Sequence, residues 1–196
     1  MRIRLAQEAA RILVESGGQD FLMAKRKAAL RLGAVDTRNM PSNTEIEQAL
    51  IEYQRLFRGT SQPQVLYALR NEAVRAMSFF SNFRPKLVGP VLHGTADEHS
   101  PICLHIVAAT VEEVGLFLLH YQIPYKMHDK RLRLSNDSQE SYPSYRFMAG
   151  QFQIEVVVFP TGKPVTPLSP VDGKPMRRAP LAEVQALLGD MDQPPI

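Results

Sequence analysis

The spacing of apolar residues changes at Pro85, and that change constrains the fold more than any other feature. Before it, apolar side chains recur every three or four positions, the period of a helix with one buried face. After it, they alternate or run together in short stretches bounded by turn formers. The chain is therefore expected to be α+β: a helical region over about 1–84 packed on a mixed β-sheet domain over about 85–196.

Within the first region the periodicity predicts four helices. Ile3, Leu5, Ala9, Ile12 and Leu13 share one face of the first, which Gly17 and Gly18 stop. Phe21, Ala24, Ala28 and Leu32 line the second, from about Asp20 to Leu32, with Gly33 as its end. Ser42 and Glu45 have capping-box spacing at the start of the third, where each side chain can satisfy an orphan backbone donor. The break at Gly59-Thr60-Ser61 is followed by Pro63, suited to the first turn of a fourth helix reaching about Phe83.

In the second region, residues 86–94 read as a strand interrupted by Gly89-Pro90, and 101–108 as another strand. Residues 110–121 form a helix capped by Thr110, with Glu112 and Glu113 placed to suit its dipole. A hairpin is expected from 123–127 and 130–135 around His128-Asp129, then a polar loop over 135–141. A second hairpin joins 145–150 to 152–160 with Gly150 at its turn. Residues 161–180 form a Pro-rich basic loop without a regular element, and 181–189 a last short helix.

Composition narrows the function classes. One cysteine, Cys103, excludes an intrachain disulfide and fits a reducing, cytoplasmic setting. Glu8 and Arg11 interrupt the N-terminal apolar run, so it does not read as a signal peptide, and no stretch is long enough to span a bilayer. No membrane partner is therefore expected. A net charge of +3 is mild, but 24–31 holds four cations and no acid, and 172–178 three cations and one acid; each is either a phosphate contact or solvated surface.

Residues 86–160 carry a more specific pattern: a strand, the turn Gly94-Thr95, the strand Ser100-Pro101-Ile102-Cys103-Leu104, a helix, and later Glu155 on a strand. This order resembles the polymerase-β-like nucleotidyltransferase superfamily. There, two aspartates two residues apart on the second strand and a third carboxylate on a later strand hold Mg²⁺. Residues i and i+2 share a strand face, so such carboxylates can clamp two ions across a phosphoryl transfer. The resemblance implies that Gly94 and Thr95 offer backbone N–H groups to a phosphate. It also implies that Glu155 is the surviving carboxylate, because Pro101 and Cys103 stand where the aspartates would be. Asp97 and Glu98, in the turn, are the substitutes if Mg²⁺ is held by a rearranged site. The whole chain also resembles a small proteobacterial family sometimes labelled UDP-N-acetylmuramate–alanine ligase. The residues do not support that label, since the sequence has no G-x-x-x-x-G-K-[ST] loop for ATP.

Four further constellations bear on chemistry. His93, His99, Cys103 and His105 lie close in sequence and include Zn²⁺ ligand types, although no standard zinc spacing matches. Cys103 and His105 share a strand face, which poses a thiolate pair against an inert buried cysteine. Lys163, Lys174, Arg177 and Arg178 in the Pro-rich loop could meet an anion, or the loop could simply strap the sheet. Lys25, Arg26, Lys27 and Arg31 on the second helix pose nucleic-acid contact, but the gap to the next helix is too long for a helix-turn-helix. The leading expectation is a non-catalytic nucleotidyltransferase-like protein that binds a nucleotide, another anionic ligand or a protein partner and needs no cofactor. Its ligand residues would be Gly94, Thr95, Lys174, Arg177 and Arg178. The alternatives are a divergent metal-dependent nucleotidyltransferase and a nucleic-acid-associated protein.

Overall fold

The local signals at the helix starts are realised in the computed structural model, which describes residues 1–16, 20–34, 39–57, 62–135, 138–162 and 165–191. The stops expected at Gly17-Gly18 and Gly59-Thr60-Ser61, and Lys163 of the loop, lie outside these residues. Helices α1 (Arg2–Ser16), α2 (Phe21–Arg31), α3 (Asn43–Phe57) and α4 (Gln62–Phe79) come first. Asp20 caps α2 by accepting from the Met23 N–H. At α3 the capping box is reciprocal: the Ser42 N–H donates to Glu45 Oε2 at 2.6 Å, and the Glu45 N–H donates to Ser42 Oγ at 3.1 Å.

The rest of the chain forms β1 (Lys86–Val88), α5 (Pro90–His93), β2 (Ile102–Ala108), α6 (Val111–His120), β3 (Tyr125–Arg133), β4 (Gln139–Ala149), β5 (Phe152–Pro160) and α7 (Leu181–Gly189). The five strands make one mixed sheet in the order β1-β2-β5-β4-β3, with β2 and β5 parallel and the other pairs antiparallel. The fold is α+β. Among the described residues, no helix is long and apolar enough to cross a membrane.

Three elements differ from expectation, the first being the polar loop expected over 135–141, of which Gln139, Glu140 and Ser141 belong to β4 because they pair with β3. Residues 90–93 are a helical turn rather than a continued strand: Gly89 takes φ +76° and Pro90 opens the turn with its fixed φ, ending the β1 ladder. The hairpin expected around His128-Asp129 does not form. Those residues lie inside the continuous strand β3, which pairs with β4 from Tyr125↔Phe147 to Arg133↔Gln139. Neither His nor Asp readily supplies the paired positive φ that a two-residue hairpin needs. The reversal falls instead beyond Arg133, where the Leu134 N–H donates to the Ser138 carbonyl.

Strand alternation gives the sheet two unlike faces. On one, Ile102, Leu104 and Ile106 of β2 and Ile154, Val156 and Val158 of β5 pack on α4, α6 and α7 in the main core. α4, grouped by sequence with the helical region, therefore shares its core with the sheet through Leu66, Leu69, Met77 and Phe80. Helices α1–α3 hold a separate core rich in Ala6, Ala9, Ala10, Ala24 and Ala28.

The opposite face carries Cys103, His105, Glu155 and Val157. The Pro-rich segment straps it: Val165 packs against Val157 and Phe159, and the Leu168 N–H donates to the Arg133 carbonyl. Further on, Ala179 bridges Leu87 of β1, each N–H donating to the other's carbonyl. The α1–α3 unit leans over the same face. Gln54 Nε2 donates to the Thr95 carbonyl at 2.7 Å, and Asn43 Nδ2 donates to the Pro170 carbonyl.

Candidate functional site

Between the strapped sheet face, the strap and the α1–α3 unit lies a cavity of about 120 Å³. Its walls are mostly apolar: Leu13 and Val14 from α1, Leu50 from α3, Val88 and Val157 from the sheet, and Val171 and Met176 from the strap. Three acids, Glu47, Asp97 and Glu155, and one ammonium, Lys130, line it, together with Gln54, His93, Thr95, Ser100, Cys103, His105 and Ser169. Apolar walls with few polar groups are the usual make-up of a small-ligand site.

Glu155 organises the polar side. Its side chain is 2% exposed. It accepts from Lys130 Nζ at 2.8 Å and Arg146 Nη2 at 2.9 Å, and lies 2.8 Å from His128 Nε2. Burial pushes this carboxyl upward, but Lys130 and the hydrogen bonds from Arg146 and His128 outweigh it and hold the group down at about 2. Lys130 and Arg146 are two positive charges against the one carboxylate of Glu155. The positions follow from register. Arg146 pairs with Glu155 across β4–β5, and Glu155 with Cys103 across β5–β2.

These three partners of Glu155 were not singled out from sequence, yet a signal for one was present. With Gly150 at the turn and Ala149 opposite Phe152, counting back three residues on each strand sets Arg146 against Glu155. His128 and Lys130 were hidden because the sequence reading broke β3 at that point.

The family-like carboxylate arrangement is not assembled. Asp97 is spent on its own turn: its Oδ1 accepts from the His99 N–H at 3.0 Å and from Ser100 Oγ at 2.8 Å. Glu98 is exposed beside His99, with Oε1 3.7 Å from Nε2. His93 ends α5 on the surface, His99 is exposed, and Cys103 and His105 are buried. Among the described residues, no three His, Cys, Asp or Glu side chains come together as a metal-holding group. Neither the Mg²⁺ set Asp97, Glu98 and Glu155 nor the Zn²⁺ set His93, His99, Cys103 and His105 is therefore brought into one coordination sphere. The chemistry around Glu155 also fits a cation poorly, because Lys130 and Arg146 already neutralise it.

The Gly94-Thr95 turn is committed internally as well. Both N–H groups donate to the Pro90 carbonyl, at 2.8 and 3.0 Å, so the phosphate cradle implied by the family resemblance is not available there. The Gly94 carbonyl accepts from Gln62 Nε2. Of the basic strap residues, Arg177 pairs with Glu183 and Arg178 donates to Thr166 Oγ1 at 2.8 Å. Neither these two nor Lys174 lines the cavity. Proline-rich and apolar residues of the strap face the cavity instead.

His105 is the remaining unusual group. It is 5% exposed, stands 4.8 Å from the Phe159 ring, and its Nδ1 has no hydrogen-bond partner among the described residues. Burial, with Arg178 and Lys130 nearby, pushes it down to about 3, so it is neutral at physiological pH. Cys103 Sγ lies 3.7 Å from Glu155 Oε2, a carboxylate that would oppose rather than favour a thiolate. That carboxylate contact works against the Cys–His nucleophile pair. No family model matches the chain, and no curated protein or solved structure is similar enough to it to carry an assignment.

Proposed function

We propose that this is a non-catalytic binding protein of the cytoplasm. It receives a small anionic ligand in the cavity beside Glu155, on a sheet of nucleotidyltransferase-like ancestry. The observation that carries the reading is Lys130, which lines the cavity beside mostly apolar walls and with Arg146 sets two positive charges against the buried Glu155 carboxylate. Ammonium and guanidinium groups have three and five donors, enough to hold Glu155 and a ligand oxygen together. The ancestry is supported by Cys103, at one of the missing aspartate positions, lying in register beside Glu155.

The ligand's apolar body is small. A cavity of roughly 150 Å³ takes a benzene-sized guest, and this one is slightly smaller, at about 120 Å³. A short carboxylic or phosphoric acid with an apolar body fits better than a whole nucleotide. The nucleic-acid alternative is weakened because Arg31, one of the cations of α2, is paired with Glu8 and Glu15.

The test is calorimetric titration with benzoate, toluene and a nucleoside monophosphate, repeated on Lys130→Gln, the cation that lines the cavity. Benzoate is expected to bind more tightly than toluene and to weaken by about tenfold in the variant, the scale of one charge-assisted hydrogen bond. Mg²⁺-dependent consumption of a nucleoside triphosphate, or equal binding of benzoate and toluene, overturns the proposal.

A further inference from the structure

The outer side of β3 is an open strand edge. The order of the sheet ends at β3, and its register with β4 turns the backbone groups of the even-numbered residues inward: the next even residue, Leu134, donates to the Ser138 carbonyl. The odd-numbered residues then point outward. Arg133 confirms this, because its carbonyl accepts from Leu168 of the strap. Among the described residues, no backbone group pairs with the outward N–H and C=O of Met127, Asp129 and Arg131.

An apolar ledge runs beside this edge. A Cβ on Gly115 of α6 would lie 3.1 Å from Tyr125 Oη, so that flank of α6 overhangs the start of β3. Leu119 follows Gly115 by one turn on the same flank, and Leu116 adjoins Leu119 at i,i+3. Leu116, Leu119 and Met127 are each more than half exposed, and Tyr125 is also exposed. The opposite flank of α6 is occupied, with Phe117 and Tyr121 packed on Phe79. An exposed edge strand flanked by large apolar side chains is the combination that soluble proteins avoid unless something covers it.

Charge selects the occupant. Lys126, Arg131 and Arg133 stand against a single acid, Asp129, along the strand, while Lys130 is held by Glu155. A second copy pairing antiparallel about Asp129 would set Asp129 against itself and Arg131 against Met127. The surrounding strand would carry basic residues on both sides, which is unfavourable. We infer that the β3 edge binds an extended acidic peptide segment. The segment adds as a sixth strand through Met127, Asp129 and Arg131, and lays apolar side chains on Met127, Leu116 and Leu119. Backbone pairing supplies affinity and the alternate side chains supply selectivity, as in other strand-addition sites.

The test uses the full chain, an eight-residue peptide alternating Val and Glu, and a control alternating Val and Lys. Amide NMR is expected to show the Met127, Asp129 and Arg131 N–H signals shifting and gaining exchange protection with the acidic peptide only. Met127→Pro removes an outward donor that the sheet does not use, a position where edge strands tolerate proline. It is expected to weaken the acidic peptide by about tenfold. Leu119→Glu, which leaves the strand intact, is expected to weaken it as well. Equal binding of the two peptides, unmoved amides at 127, 129 and 131 at millimolar acidic peptide, or dimerisation of the chain through this edge overturns the inference. None of these readouts involves the cavity.

Discussion

Cys103 and Glu155 stand opposite each other on the parallel strands β2 and β5, with Sγ 3.7 Å from Oε2. Two carboxylates at such a position would repel one another. Here one is the Cys103 thiol, and the other is paired with Lys130 and Arg146. The charge that a divalent ion would bring is supplied by side chains.

Metal should therefore matter little to this protein. Adding millimolar Mg²⁺ or micromolar Zn²⁺, or removing both with EDTA, is expected to leave the melting temperature unchanged within about 1 °C, since a ligand stabilises only what it binds. Differential scanning calorimetry checks this.

Removing the carboxylate should be costly. Glu155→Ala leaves Lys130, Arg146 and His128 without their shared partner. Breaking a buried pair from one side costs about 3–5 kcal/mol. The low end, about 3 kcal/mol, is expected because the three partners are 31–45% exposed and can turn to water. Urea unfolding measures it, and Glu155→Gln should fall between the variant and the wild type.

Acid should destabilise the fold in two overlapping windows. His105 is held at about 3 when folded, against an ordinary 6.5. The unfolded chain therefore takes this proton first, and stability falls as pH drops from 6.5 toward 3, by up to about 1.4 kcal/mol per pH unit. Glu155 is held at about 2 against 4.5, so its contribution is complete above 4.5 and is lost as pH falls toward 2. His105→Phe should flatten the dependence between pH 6.5 and 4.5 and leave the steeper acid limb. Unfolding free energies measured every half unit of pH decide the matter.

Gly115 should resist replacement despite its helical position. Alanine would gain about 1 kcal/mol of helix propensity. Its Cβ, however, would meet Tyr145 Oη at 3.0 Å and Tyr125 Oη at 3.1 Å. Tyr145 is 1% exposed and fixed by its hydrogen bond to the Val111 carbonyl, so it has little room to retreat. Overpacking of about 1–3 kcal/mol should win, leaving Gly115→Ala about 1 kcal/mol less stable by urea unfolding. The same change at Gly189, where nothing lies within 4 Å, should not destabilise.

What could be read before the fold was known was what neighbours in sequence decide. Ser42 with Glu45, Thr110 before α6, and Gly150 between β4 and β5 each act over a few residues, and each performs its expected role. The strand β3 escaped because an edge strand with polar residues on both faces lacks clean alternation, and Lys-Met-His-Asp-Lys looks like a reversal. The resemblance drew attention to Glu155 but not to its surroundings. Lys130 and His128 reach it across the intervening strand β4, a relation that exists only once the order β5-β4-β3 is set. The strap residues Lys174, Arg177 and Arg178 suggested an anion site through composition, whereas pairing with Glu183 and Thr166 directs two of them elsewhere.

The bridge between Leu87 and Ala179 joins the first strand of the sheet to a residue near the end of the described chain. Contacts so distant in sequence form late and slow the search for the native state. During synthesis, β1 therefore keeps one exposed border until the strap has left the ribosome. A chain halted before that point would present the unfinished border, which the strap then seals.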